Sequence, residues 1–299
     1  MKQKTNNIHI IGTQMDLGAS KRGVNMGPSA IRYTDLGGKL TNMGFNVIDK
    51  GDIVPGDPQT EDPKRKNFKP IFDANKKLYE KVTDTLKTGA FPVIIGGDHS
   101  ISAGSVTAIS RYFKNIGVIW IDAHGDYNDE SSSPSGNMHG MPLSAVCGQG
   151  PSDMVDFGGE HCFVDPKKVA IIGCRDIDKL EGKRLVETGV NIFTIHDVDK
   201  LGMAEIVKKA IEVTGTDTVG IHVSFDLDSI TPEEAPGVGT LVYNGLTVRE
   251  SFLAAEMLAE SGKILSLDMV ELNPILDNNN RTGELACELI LSLLGKSIY

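Results

Sequence analysis

The sequence predicts an α/β fold in which a mainly parallel sheet carries helices on both faces. Apolar runs of strand length recur along the chain, at residues 8–12, 46–48, 91–95, 116–121, 168–173, 190–195, 219–227 and 263–271. Segments of helical period or length separate most of these runs, including 72–86, 102–112, 204–213 and 248–260. Strands and helices that alternate in this way are typical of repeated βαβ units, whose strands lie parallel.

Turn and loop signals define the connections between these elements. Gly27-Pro28 predicts a helix start, because proline is tolerated in the first helical turn. Residues 51–68 are rich in proline, aspartate and lysine, which predicts a mobile surface loop with no chemistry of its own. Residues 125–139 form a second long loop, and we expect it to be functional because it follows the densest group of candidate ligands.

Length and composition place the chain among ordinary globular proteins. We interpret its 299 residues as one domain spanning 1–299, because no linker, repeat or low-complexity tract divides them. The formal net charge of −10 argues against nucleic acid or an anionic membrane as a partner. The sequence has no run of roughly 20 apolar residues, the length that a membrane span requires, and no signal-peptide pattern. Widely spaced cysteines without a CxxC pair predict a reduced, cytoplasmic protein.

Carboxylate and imidazole side chains follow three of the predicted strands, at the point where each strand ends. These strand ends carry Gly96-Gly97-Asp98-His99-Ser100, Asp122-Ala123-His124-Gly125-Asp126 and Asp226-Leu227-Asp228. A single Asp or His in such a place is usually a cap or turn residue. Capping does not explain three ends with the same chemistry, and open α/β sheets bind ligands at this edge. The sequence therefore predicts a metal centre there.

The candidate metal ligands are two imidazoles and four carboxylates: His99, His124, Asp122, Asp126, Asp226 and Asp228. Hard oxygen donors with a minority of imidazole nitrogens favour Mn²⁺ over a structural zinc site. Six such groups exceed what one catalytic ion takes while it keeps a position for water, so a site with two ions roughly 3.5–4 Å apart fits better. Such a site would lower the pKa of a shared water and supply hydroxide near neutral pH.

Other kinds of site have less support in the sequence. A serine hydrolase is disfavoured because no G-x-S-x-G elbow occurs, and no G-x-G-x-x-G or Walker motif opens a helix after a strand. Three histidines outside the clusters, His9, His161 and His196, are expected to be structural. His222 is expected to point away from the Asp226 group and to pack inside its strand.

The three blocks resemble the signature blocks of the ureohydrolases, the arginase/agmatinase superfamily. They match in order and spacing, and the resemblance extends over nearly the whole chain, from residues 22–28 to 270–274. It implies a three-layer α/β/α sandwich around an eight-stranded parallel sheet, with two Mn²⁺ ions per subunit. The implied ligands are His99, Asp122, Asp126 and Asp226 for one ion, and Asp122, His124, Asp226 and Asp228 for the other.

Residues 133–142 resemble the arginase version of the substrate loop, whereas agmatinases differ before the corresponding His-Gly. The resemblance implies hydrolysis of L-arginine to L-ornithine and urea, by attack of a metal-bridging hydroxide on the guanidinium carbon. It implies proton transfer by His139, a hydrogen bond from the hydroxide to Asp126, and guanidinium binding by Glu271. The implied contacts with the amino-acid end of the substrate are Asn128, Ser133, Ser135, Asn137, Asp178, Glu181 and Thr240.

Two alternatives remain open at this point: an agmatinase or other ureohydrolase of guanidino compounds, and a catalytically silent arginine- or metal-binding protein. The resemblance also implies a homo-oligomer, trimer or hexamer, because residues 246–250 resemble a segment used at trimer contacts. We expect Arg249 to pair with an acidic group of a neighbouring subunit. The alternative is a solvated pair of Arg249 and Glu250 at the start of the next helix.

Overall fold

All the predicted apolar runs form strands of one sheet in the computed structural model, which describes residues 5–59 and 62–297. The strands are β1 (Asn7–Thr13), β2 (Asn46–Ile53), β3 (Phe91–Ile95), β4 (Gly117–Ile121), β5 (Val169–Cys174), β6 (Asn191–Thr194), β7 (Ile221–Asp226) and β8 (Ile264–Val270). Their order in the sheet is β2-β1-β3-β8-β7-β4-β5-β6, and every neighbouring pair is parallel. The predicted eight-stranded parallel sheet is confirmed.

Helices cover both faces of this sheet and complete three layers. The α-helices are α1 (Gly27–Arg32), α2 (Leu36–Asn42), α3 (Phe68–Lys87), α4 (Ser102–Phe113), α5 (Pro142–Val146), α6 (Lys179–Thr188), α7 (Ile195–Leu201), α8 (Met203–Gly215), α9 (Val248–Ser261) and α10 (Arg281–Leu293). Ile119 and Ile121 of β4 join the apolar cluster under α1, α2 and α7–α10, whereas Val118 and Trp120 join the cluster under α3–α6. This alternation follows from the period of two in a strand.

The predicted helices all form, but the sequence did not reveal five others. Residues 72–86, 102–112, 204–213 and 248–260 lie in α3, α4, α8 and α9, and the Gly27-Pro28 signal begins α1. The helices without a prediction are α2, α5, α6, α7 and α10. In the part of the chain that the structure describes, no helix has both the length and the apolar character needed to cross a membrane.

The segment 62–67, part of the loop that was expected to have no chemistry of its own, packs against the loop 125–139. The backbone N–H of Lys66 donates to the carbonyl of Gly136 at 3.1 Å. Gly136 has a φ of +70°, and a Cβ there would lie 2.0 Å from the carbonyl oxygen of Pro63. Only glycine permits this close approach, because it tolerates the positive φ and has no side chain.

The sheet order brings distant parts of the chain together at one edge. β3, β8, β7 and β4 are consecutive in the sheet. Because all four run in the same direction, their carboxyl ends meet, and the residues that follow them lie side by side. This edge therefore receives side chains from four segments that are far apart in the sequence, including His99, Asp122, Asp226 and Glu271.

Candidate metal centre and substrate cavity

One group of candidate ligands surrounds the imidazole of His99. Its Nδ1 lies 3.0 Å from Asp122 Oδ2, 3.0 Å from Asp126 Oδ2 and 3.1 Å from Asp226 Oδ2. All four side chains are buried. One imidazole nitrogen carries at most one proton, so it cannot satisfy three carboxylate oxygens. Three carboxylate oxygens around one imidazole nitrogen therefore need another positive charge, and a metal cation would supply it.

A second group lies beside the first and shares Asp122 with it. His124 Nδ1 is 3.3 Å from Asp122 Oδ1 and 3.2 Å from Asp228 Oδ2. The donor atoms of Asp122, His124 and Asp228 all lie within 4.8 Å of one another, as do those of His99, Asp122 and Asp126. Asp122 thus offers one oxygen to each group. Asp226 is in neither of these two sets of donor atoms, and it contacts the first group through His99 Nδ1.

The backbone and the neighbouring side chains fix the direction of these ligands. His99 Nε2 is 2.8 Å from Ser224 Oγ, and its ring stacks on Trp120 with centroids 4.0 Å apart, so Nδ1 faces the carboxylates. The indole N–H of Trp120 donates to Asp122 Oδ2 at 2.9 Å. Asp126 has a φ of +49°, in the left-handed region that a non-glycine residue adopts at a cost. Partners of this kind orient a ligand before the metal arrives.

The electrostatics of the cluster also match a divalent cation. Burial raises the pKa of Asp126 to about 6, and the charge of Asp122 adds to the rise. Burial likewise raises the pKa of Asp226, with the charges of Asp228 and Asp122 contributing. Four carboxylates that repel one another, balanced by two imidazoles, form an oxygen-rich set of the kind that suits Mn²⁺. The residues present therefore fit the expected ions.

A cavity of about 460 Å³ opens beside the cluster. Its lining brings together most of the predicted site residues, namely His124, Asp126, Asn128, Ser133, Ser135, Asn137, His139, Asp178, Glu181 and Thr240. The sequence analysis had not identified other residues of the lining, among them Ser20, Lys21, Asp176 and Leu241. A ligand in this cavity would touch the loop 125–139 at one end and the candidate metal ligands at the other.

Glu271 lies at the end of β8 with one oxygen free. Its Oε1 accepts from the backbone N–H of His99 at 2.9 Å and lies 3.2 Å from His139 Nδ1. Its Oε2 is buried and has no hydrogen-bond partner within residues 5–59 and 62–297. A Cβ on Gly239, which lines the cavity, would lie 3.6 Å from this atom. An unpaired buried carboxylate oxygen is costly, so this position favours a cationic hydrogen-bond donor.

The charge of Glu271 also raises the pKa of His139. Burial lowers the pKa of His139, but the hydrogen bond and charge of Glu271, together with Asp126 and Asp98, outweigh burial and bring the pKa to about 9. The imidazole is therefore protonated at neutral pH in the metal-free protein.

Two hydrogen-bonded groups of side chains line the cavity, and they are called its two sides below. On the first side, Asn128 Nδ2 donates to Asp178 Oδ2 at 3.1 Å, and Glu181 Oε2 accepts from the backbone N–H of Asp178 at 3.2 Å. On the second side, Asn137 Nδ2 donates to Ser20 Oγ at 2.8 Å. Burial raises the pKa of Glu181 to about 8, although it also accepts from the backbone of Tyr127.

The structure corrects the expected orientation of His222 and contradicts the alternative pair of Arg249 with Glu250. The pairing of Arg249 with a neighbouring subunit stays a prediction. His222 is buried and packed, as expected, but it shares a face of β7 with Asp226, because residues 222, 224 and 226 alternate together. Its Nδ1 lies 2.7 Å from Ser266 Oγ. Arg249 forms an ion pair with Glu256 of its own helix at 2.5 Å. Glu250 caps the helix through Thr247 and is not the partner of Arg249.

Comparisons with known proteins identify the family of this chain. The model of the arginase family matches residues 6–295. The chain belongs to the arginase family. It is 45% identical to an arginase of Brevibacillus brevis, over 98% of this chain and 99% of the relative, and 44% identical to one of Bacillus subtilis, over 97% and 98%.

Solved structures of the family have the same fold. An arginase of Bacillus caldovelox superposes with a TM-score of 0.95, at 44% identity and with 100% of both chains covered. An arginase of Entamoeba histolytica in complex with L-ornithine superposes with a TM-score of 0.90, at 29% identity, over 99% of this chain and 100% of that one. The predictions of the family, of its three-layer fold and of an arginase-type hydrolase are confirmed.

Proposed function

We propose that this protein hydrolyses L-arginine to L-ornithine and urea with two Mn²⁺ ions. The observation that carries the proposal is the buried Oε2 of Glu271, which has no partner among the described residues and lies close to Gly239 of the cavity lining. A guanidinium group is a planar cation with paired N–H donors, and it is the natural partner of such a carboxylate. Membership of the arginase family supports the choice of arginine.

His99, Asp122, Asp126 and Asp226 would hold one ion, and Asp122, His124, Asp226 and Asp228 the other. The shared oxygens of Asp122 support a bridging role for this residue. The bridging role of Asp226 rests on the resemblance, because in the structure Asp226 contacts the first group alone. When bound, the ions would lower the pKa of water and so supply a hydroxide nucleophile near neutral pH.

The chain's own residues would orient the substrate and move protons. Glu271 would hold the guanidinium through Oε2, with its carbon towards the carboxylate cluster. Asp126 would accept a hydrogen bond from the attacking oxygen. As the C–N bond to the ornithine side chain breaks, the departing nitrogen takes up a proton, and the protonated His139 is suited to deliver it.

Specificity would come from the two sides of the cavity mouth. Asn128, Ser133, Ser135 and Asn137 would receive the α-carboxylate, Asp178 with Glu181 the α-ammonium group, and Thr240 would line the site. A substrate without the carboxylate leaves polar groups unpaired, which lowers its transition-state binding. This asymmetry favours arginine over agmatine, its decarboxylated counterpart.

Urea release after reconstitution with manganese tests the proposal. We expect turnover of arginine to exceed that of agmatine, and Glu271→Gln to remove most of it. Preference for agmatine would replace the proposal with an agmatinase. No urea from either compound, in protein that elemental analysis shows to be fully loaded, would favour a silent binding protein.

We further propose a cytoplasmic homo-oligomer. The cysteines in the described part of the chain, Cys147, Cys162, Cys174 and Cys287, are all free, which suits a reducing compartment. The trimer or hexamer rests on the resemblance of residues 246–250 and on closed symmetry as the usual state of homo-oligomers.

A further inference from the structure

The segment 16–23 holds Lys21 at the mouth of the cavity on a fixed backbone. The N–H of Gly18 donates to Asp98 Oδ2 at 2.7 Å, and the carbonyl of Gly18 accepts from the N–H of His139 at 3.2 Å. The N–H of Gly23 donates to Asp16 Oδ2 at 3.1 Å, which closes the segment on itself. These hydrogen bonds therefore fix the backbone of Lys21 beside the loop 125–139.

Lys21 lines the cavity next to Ser20 and Asn137, where Lys66 Nζ also donates to Asn137 Oδ1 at 3.5 Å. Its neighbour Ser20 accepts from Asn137, whereas Asp178 and Glu181 form a separate group of contacts with Asn128. Within 5–59 and 62–297, Lys21 is the only lysine or arginine of the cavity lining. Its side chain is exposed and makes neither a hydrogen bond nor an ion pair with any residue of those ranges. The lining thus offers one unpaired cation, Lys21, together with the carboxyl group of Asp178.

We infer that Lys21 is the counter-charge for the α-carboxylate of the substrate and selects α-amino acids over decarboxylated guanidines. The inference rests on the proposed function and adds a residue to it. A free amino acid carries a carboxylate and an ammonium group on one carbon, and the cavity lining offers Lys21 for the carboxylate and Asp178 for the ammonium group. The serines and asparagines of the loop supply only neutral hydrogen bonds, which are weaker than charge-assisted ones. In a chain of net charge −10, a local cation also offsets repulsion of the incoming carboxylate.

Three variants test the role of Lys21. Lys21→Met removes the charge and keeps much of the apolar stem, and Lys21→Arg restores the charge. Lys77→Met removes an equal charge from an exposed position of α3 outside the cavity lining, and serves as the matched control. The ratio of kcat/KM for arginine to kcat/KM for agmatine should fall about three- to fivefold in Lys21→Met, the range of an exposed ion pair. Lys21→Arg and Lys77→Met should keep the wild-type ratio.

Binding of products gives a second readout that does not depend on turnover. With manganese-loaded protein in a calorimeter, Lys21→Met should weaken L-ornithine binding by a similar factor and leave putrescine, which lacks the carboxylate, at its wild-type affinity. The difference should shrink at about 0.5 M salt, because exposed charges are screened. Equal losses for ornithine and putrescine, or the same behaviour in Lys77→Met, would overturn the inference. If no urea forms but ornithine binding still depends on Lys21, the proposed reaction fails and the carboxylate contact stands.

Discussion

Replacing Glu271 with glutamine isolates the charge that is proposed to hold the guanidinium. The amide oxygen keeps one acceptor for the backbone N–H of His99, which Glu271 Oε1 receives at 2.9 Å, so the fold around the cluster is retained. The free Oε2 is the group that would lose its attraction for a cation. At about 4 Å and an effective dielectric constant of about 20, one charge pair contributes roughly 4 kcal/mol. Since about 1.4 kcal/mol is a factor of ten in rate, kcat/KM for arginine should fall on the order of 10³-fold.

The same substitution should move the pH profile. In the metal-free wild-type protein, burial lowers the pKa of His139, while the hydrogen bond and charge of Glu271 are the main causes that raise it, to about 9. Glutamine removes that charge, so the pKa of His139 falls and its proton is lost at lower pH. The alkaline limb of kcat/KM should therefore shift towards lower pH in Glu271→Gln.

Urea release measured across the pH range, with manganese content and thermal midpoint as controls, decides between a chemical and a structural effect. The exposed pair Glu205 and Lys209 of α8 offers a matched amide substitution, Glu205→Gln, which should keep wild-type kinetics. A loss of less than about tenfold in fully loaded Glu271→Gln would refute the electrostatic reasoning, because a buried partner of a cation should cost more.

Three further predictions concern the metal ligands, the metal-free state and assembly. Asp122→Ala should lose both ions together, whereas His124→Ala should mainly weaken one, because Asp122 gives one oxygen to each group; elemental analysis showing two ions in Asp122→Ala would refute this. The metal-free protein should become less stable between about pH 5 and 8. Burial raises the pKa of Glu181 to about 8, so the folded state holds a proton that the unfolded state releases; thermal unfolding independent of pH would contradict this. Arg249→Ala should shift the mass in analytical ultracentrifugation towards monomer, and a monomeric wild type at micromolar concentration would rule out the assembly.

The strands of the sheet could be predicted from the sequence because strands buried on both faces appear as continuous apolar runs. Helix α6 was missed because Lys179–Thr188 is dominated by charged and polar residues, and its one local signal is the capping box of Asp178 and Glu181. The orientation of His222 could have been obtained from its even spacing to Asp226.

For the candidate site, the sequence revealed the cluster because the ligands lie at the ends of three strands or within five residues after them. Lys21 has no such marker. Its place depends on the contacts of Gly18 with Asp98 and His139, which are 80 and about 120 residues away along the chain, and no local pattern encodes them.

The position of β3 and β4 in the sheet has a consequence for synthesis of the chain. They are consecutive in sequence, yet β8 and β7 lie between them in the sheet. Until the ribosome has released residues 221–270, each of these two strands has an edge without its final neighbour, and such edges are templates for pairing with other chains. The nascent protein therefore carries the unpaired edge of β4 until β7 has emerged and that of β3 until β8 has emerged, and chaperone occupancy should be greatest before Glu271 emerges.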